Sequence, residues 1–259
     1  MTAPAYPPGR GLLTGKVVVV TASAGAGIGQ AAARRCLEEG AQVVISDTHE
    51  RRLAETLEQL AAEHGDAVAA QPCDVTVEDQ VQALIGTAAE RFGRLDVMIN
   101  NAGLGGTRSI LEMTDEEWTR VLDVTLNGTF RSTRAALRRL VAQGGGGVIV
   151  NNASVVGWRA QEGQAHYAAA KAGVMALTRC AALDAAPHGI RVNAVAPSLA
   201  MHPHLVKVTS DELLAELTKR EAFGRYAEPW EVANVMVFLA SDYSSYLTGE
   251  VVSVSNQHP

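Results

Sequence analysis

The chain has 259 residues, of which 47% are apolar and 19% charged, and its formal net charge is −6. This composition excludes intrinsic disorder, which needs low hydrophobicity and high charge, and it supplies one large core. The acidic balance argues against nucleic-acid binding, and no apolar run approaches the ~18 residues of a membrane span.

Residues 1–14 are rich in Pro and Gly and read as a flexible N-terminal arm; they lack the apolar centre of a secretory signal. Residues 15–259 read as a single domain. Residues 16–20 form a short apolar run suited to a strand buried on both faces. A glycine-rich turn follows, then a helical stretch over 30–39, a strand over 43–46 and an amphipathic helix over 50–63. Further strands are expected at 68–72, 96–99, 147–150 and 190–195, separated by segments of helical length and period. Thr114 opens one of these helices with a capping box completed by Glu117. Such alternation predicts an α/β fold: a single Rossmann-type, doubly wound parallel sheet with helices on both faces. Residues 201–223 break the alternation with Pro203, two histidines and a charged helix near 211–220. They form either a lid over the carboxyl ends of the strands or a plain surface insertion. Cys36, Cys73 and Cys180 are too few for a disulfide framework and form no CxxC pair. They read as reduced core thiols of a cytoplasmic protein with no metal site.

The turn after the first strand holds Thr21, Ser23, Gly25, Gly27, Ile28 and Gly29. Glycines there let the backbone approach a pyrophosphate at a helix N-terminus, whose free N–H groups favour an anion. Asp47, about 20 residues further on, can accept hydrogen bonds from a ribose and would repel a 2′-phosphate, which favours NAD over NADP. Thr48 brings no cation to that position, and Arg51 and Arg52 read as solvated helix residues. Asp74 either meets the adenine amino group or caps the segment from Thr76.

Tyr167 and Lys171 are four residues apart on an expected helix and so share a face. An ammonium beside a phenol stabilises phenolate and moves a reference pKa of ~10 toward working pH, which makes a general acid or base. Ser154, just past the fifth strand, can hydrogen-bond a substrate oxygen.

Taken together, these motifs resemble the short-chain dehydrogenase/reductase family from about residue 15 to residue 254. The carrying segments are the cofactor loop, Asn100-Asn101-Ala102-Gly103, Tyr167 to Lys171 and Arg191-Val192-Asn193. The resemblance implies that Tyr167 exchanges the proton with the alcohol or carbonyl oxygen, while Ser154 polarises that oxygen. It implies that Lys171 holds the nicotinamide ribose, and that Val75, Asn101, Ala102, Gly103 and Pro197 help to bind the cofactor. Thr125 stands where the family usually carries a relay asparagine, and its hydroxyl could partly substitute; Asn127 is turned away. Pro197-Ser198 replaces the usual Pro-Gly, His202 lies near the nicotinamide segment, and the tail from Ser253 lacks the usual Asp-Gly-Gly. Family members commonly form tetramers through helices corresponding to 114–140 and 167–186, which here carry small residues such as Ala135, Ala136, Ala168 and Ala172. A homotetramer is therefore expected.

Leu104, Val155, Trp158, Leu199 and Met201 are expected either to line an apolar substrate pocket or to pack in the core. Arg108, Arg159, Lys207 and Arg220 could meet coenzyme A phosphates or be solvated. Segments 148–180 and 221–259 resemble the actinobacterial dehydrogenases of late steroid-ring degradation. That implies a ring hydroxyl on a bulky cyclic acyl-CoA as the reacting group. The alternatives are a 3-oxoacyl-thioester reductase and a cofactor-binding sensor without turnover.

Overall fold

The computed structural model describes residues 2–201 and 211–256. Seven strands form one parallel sheet: β1 (Val17–Val20), β2 (Gln42–Ile45), β3 (Val68–Ala70), β4 (Val97–Asn100), β5 (Gly147–Asn152), β6 (Ile190–Pro197) and β7 (Val251–Val254). Their order across the sheet is β3-β2-β1-β4-β5-β6-β7. Helices α1 (Ile28–Glu38), α2 (Glu50–His64), α3 (Glu78–Phe92), α4 (Asp115–Leu122), α5 (Gly128–Gln143) and α6 (Ala165–Ala185) follow the first five strands in turn. Helices α7 (Asp211–Arg220) and α8 (Pro229–Ala240) come after β6. The capping box of Thr114 and Glu117 is present at the start of α4.

Side chains alternate across the sheet because the strand period is two residues. Val18, Val20, Val43 and Ile45 pack with Ala32, Cys36 and Met236 on one face. Val17, Val19 and Val44 pack with Leu84, Ala136 and Leu140 on the other. Both faces are covered, so the central strands are apolar throughout. The order reverses between β1 and β4, which opens a crevice at the carboxyl ends of those two strands.

Three details differ from the sequence reading. Strand β7 is an additional edge strand, short and only partly buried, so its apolar run is weak. The N-terminal arm is docked: Arg35 donates to the carbonyls of Pro7 and Pro8, and Glu39 accepts from the N–H groups of Arg10 and Leu12. Tyr6 packs edge-on against Trp230, with ring centroids 5.3 Å apart. Cys36 and Cys73 are buried, but Cys180 is exposed and not a core thiol. Residues 211–220 are helical, as expected; Pro203, His202 and Lys207 lie outside the described residues. No described helix is long and apolar enough to cross a membrane, and no metal-binding cluster occurs among the described residues.

Candidate active site

Three elements bring the site together at the carboxyl edge of the sheet. Ser154 follows β5, Tyr167 and Lys171 lie in the first two turns of α6, and Thr125 sits between α4 and α5. The Ser154 hydroxyl hydrogen-bonds Tyr167 and accepts from the Val156 N–H at 3.2 Å. Lys171 Nζ donates to the Asn152 carbonyl at 2.5 Å and lies 5.6 Å from the centroid of the Tyr167 ring. Burial raises the Tyr167 pKa, and the Ser154 hydrogen bond opposes that shift. Burial lowers the Lys171 pKa to about 8. Desolvation thus favours a neutral phenol and a readily deprotonated amine, the reverse of the simple expectation that the ammonium depresses the tyrosine.

A glycine loop covers this cluster. A Cβ on Gly105 would touch the Tyr167 ring at 3.5 Å, and one on Gly103 would lie 3.4 Å from Lys171 Nζ. The same loop is clasped to the segment after Ser154 by Arg108 N–H donating to the Gly163 carbonyl at 2.8 Å. His166 is buried beside Tyr167, and its Nδ1 accepts the Tyr167 N–H at 2.9 Å. Burial lowers its pKa against the pull of Glu117, so it stays neutral and holds the start of α6.

Residues 22–256 match the family model described as enoyl-(acyl carrier protein) reductase. A Mycobacterium tuberculosis enzyme is 64% identical over 99% of this chain and 98% of its own length. It is named (5R,7aS)-5-hydroxy-7a-methyl-1-oxo-2,3,5,6,7,7a-hexahydro-1H-indene-carboxyl-CoA reductase. This chain belongs to the short-chain dehydrogenase/reductase family. A 3-oxoacyl-[acyl-carrier-protein] reductase of Thermotoga maritima is 37% identical over 93% of the chain and 97% of its own length. The crystal structure of a short-chain dehydrogenase from Mycobacterium smegmatis superposes with a TM-score of 0.89 at 59% identity, covering 100% of this chain and 99% of that one. The fold and the oxidoreductase class are therefore those expected.

Members of this family use nicotinamide cofactors, and the residues at the crevice fit one. Gly27 is the N-cap of α1, with no side chain capping the helix and no acidic residue in its first turn, so its free N–H groups suit a pyrophosphate. Gly29 cannot carry a side chain: its Cβ would fall 2.2 Å from the Ala22 carbonyl oxygen and 2.4 Å from Asn101 Nδ2. Thr21 Oγ1 accepts from the N–H groups of Asn101 and Ala102, which fastens the loop to the end of β4. Ile28 starts α1, Val75 is buried against Gly128, and Pro197 ends β6 beside Val254.

Several site residues act differently from the sequence expectation. The Ser23 hydroxyl donates to the Val20 carbonyl and accepts from Ser46 N–H, so its side chain ties β1 to β2 and does not face a ligand. Asp74 Oδ1 accepts from both the N–H and the hydroxyl of Thr76, a local turn just before α3, whose N-cap Val77 has no side-chain cap. Thr125 lies fully buried in a π-helical turn. Its hydroxyl donates to the Leu104 carbonyl and accepts the Leu104 N–H. The single proton of Thr125 is thereby spent on clamping the glycine loop, so the hydroxyl has no proton left to pass on. Asn127 is exposed and hydrogen-bonds Asp123, away from the site.

Arg52 is not simply solvated. Its Nη2 lies 2.9 Å from Asp47 Oδ1, and a Cβ on Gly25 would strike its Cδ at 2.7 Å. A cation therefore lies over the glycine-rich loop beside the Asp47 carboxylate. Spacing did not single it out because Arg52 reaches back from the first turn of α2. For Asn152 the sequence signal is a pair of amide side chains, Asn151 and Asn152, ending an otherwise apolar strand.

Proposed function

We propose that the protein interconverts a ring hydroxyl and a ketone on a bulky cyclic acyl-CoA, with NAD as preferred cofactor. The cluster of Ser154, Tyr167 and Lys171 under the glycine loop carries this reading, together with the name of the M. tuberculosis relative. The bound cofactor supplies the hydride acceptor or donor. Ser154 orients the substrate oxygen by hydrogen bonding. The neutral Tyr167 phenol is suited to give its proton to a carbonyl oxygen; in the oxidative direction the Ser154 hydrogen bond lowers the cost of phenolate. Lys171, held at Asn152, lies within reach of the tyrosine and of a ribose at the crevice.

Leu104, Val155, Leu199 and Met201 are buried or half-buried, and Trp158 is 42% exposed. These suit an apolar ring. Of the cations proposed for the coenzyme handle, Arg108 is paired with Glu117 and Arg220 with Glu216. Arg159 has no charged partner among the described residues and is available for a phosphate; Lys207 lies outside those residues. For the cofactor, Asp47 supports NAD.

The test is reduced-nicotinamide formation from linear and bicyclic hydroxyacyl-CoA thioesters with NAD and NADP in parallel. The expected result is turnover with NAD on the bicyclic alcohol. Tyr167→Phe should lower it about 10²–10⁴-fold while NADH still binds; retained turnover would remove Tyr167 from the chemistry. Arg52 beside Asp47 and the Thermotoga relative favour a second reading, a 3-oxoacyl-thioester reductase using NADPH. Turnover confined to linear substrates and NADP(H) would select it.

A further inference from the structure

Asn152 is the last residue of β5, two before Ser154, and it touches both halves of the site. Its main-chain carbonyl accepts Lys171 Nζ at 2.5 Å. Its Nδ2 donates to Asn101 Oδ1 at 2.9 Å. Asn101 in turn donates through Nδ2 to the carbonyls of Thr21 at 3.2 Å and Ala22 at 2.9 Å. Ala22 is the sole non-glycine residue with positive φ among the described residues, at 49°, so Asn101 braces a strained turn of the cofactor loop.

Donor and acceptor chemistry fixes both amides. Two carbonyls can only accept, so Asn101 must present Nδ2 to them and Oδ1 to Asn152. Only a donor can face that Oδ1, so Asn152 must present Nδ2 to it and turn its own Oδ1 the other way. That Oδ1 is closed off from solvent and has no hydrogen-bond partner. A buried amide oxygen without a donor costs about 1–3 kcal/mol. The residue ends β5, with its side chain on Asn101 and its carbonyl on Lys171, at the carboxyl edge of the sheet where a dinucleotide binds in such folds.

We infer that Asn152 is a positioning residue of the cofactor site, its Oδ1 accepting a hydrogen bond from the nicotinamide-riboside half of the dinucleotide. The donor is a ribose hydroxyl or the carboxamide N–H. The inference rests on the dinucleotide reading of the crevice but not on which alcohol is the substrate. Asn152 sets the nicotinamide half against Lys171, whose ammonium hangs from the same residue's carbonyl. The adenine half, held at α1 and Asp47, does not depend on it.

The experiment is calorimetric titration of the purified protein with NADH, ADP-ribose and ADP, for the wild type, Asn152→Leu and Asn152→Ala. NADH affinity should fall about ten-fold in both variants, the loss of one buried hydrogen bond. ADP affinity should stay within about two-fold of wild type, which also reports that the variants are folded. ADP-ribose falling with NADH identifies the ribose hydroxyl as donor; NADH falling alone identifies the carboxamide. An equal loss of ADP binding would make Asn152 a mere support of the loop and overturn the inference. So would unchanged NADH affinity. A wild-type protein that binds neither NADH nor ADP would overturn the dinucleotide reading, and the inference with it.

Discussion

Replacing Lys171 by Met should stabilise the cofactor-free protein while abolishing its chemistry. Lys171 is 3% exposed, and burial lowers its pKa from 10.5 to about 8. That difference of about 2.5, at about 1.36 kcal/mol each, is a penalty near 3 kcal/mol for holding an ammonium in the folded chain at pH 7. Met has similar length and no charge, so it escapes the penalty and loses one hydrogen bond to the Asn152 carbonyl, worth about 1 kcal/mol. The net gain is about 2 kcal/mol. Because the folded pKa lies below the unfolded one, the unfolded chain binds more protons between about pH 8 and pH 10.5. Wild-type stability therefore rises with pH through that window, and the advantage of the variant shrinks with it. Urea denaturation of both proteins, at fixed protein concentration and at several values from pH 7 to pH 10.5, measures this directly. A Lys171→Met protein no more stable than wild type at pH 7, or an advantage that does not change with pH, would refute the reasoning.

Arg52→Ala leaves the Asp47 carboxylate without its cation, so discrimination against a 2′-phosphate should sharpen. The ratio of kcat/KM for NAD to that for NADP should rise about five-fold, the worth of an exposed pair of about 1 kcal/mol; a ratio that falls would show that Arg52 does not act there. Glu39→Ala removes the fully buried carboxylate partner of Arg35, leaving only the longer carboxylate contact to Glu38 at 3.4 Å, and releases the N–H groups of Arg10 and Leu12. It should cost about 3–5 kcal/mol in urea and expose residues 6–13 to proteolysis. In the wild type, burial pushes the Glu39 carboxyl up, but the N–H groups of Leu12 and Arg10 and the Arg35 charge hold it below its usual 4.5. Its contribution is therefore present above about pH 4.5 and lost as pH falls through the lower folded value. An arm that stays protected from protease in Glu39→Ala would contradict this.

Much of the molecule was legible in local pattern. The continuous valine runs and the helical period between them point to a parallel sheet covered on both faces, whose strands are apolar throughout. Tyr167 and Lys171 were readable as a pair because four residues of helix bring them to one face. Glycines at 25, 27 and 29 announced a close backbone approach, and Gly29 indeed has no room for a Cβ. What tertiary structure alone decided are pairings between residues distant in sequence or reached by a flexible side chain. Arg52 folds back onto Asp47, Asn152 meets Asn101 across 51 positions, and Thr125 spends its hydroxyl on Leu104. The arm looked flexible because its Pro and Gly residues have no period, yet its carbonyls and N–H groups satisfy the buried Arg35 and Glu39. Periodicity reports which face of an element is buried; it carries no record of which polar atom will stand opposite another, since that depends on how the elements cross.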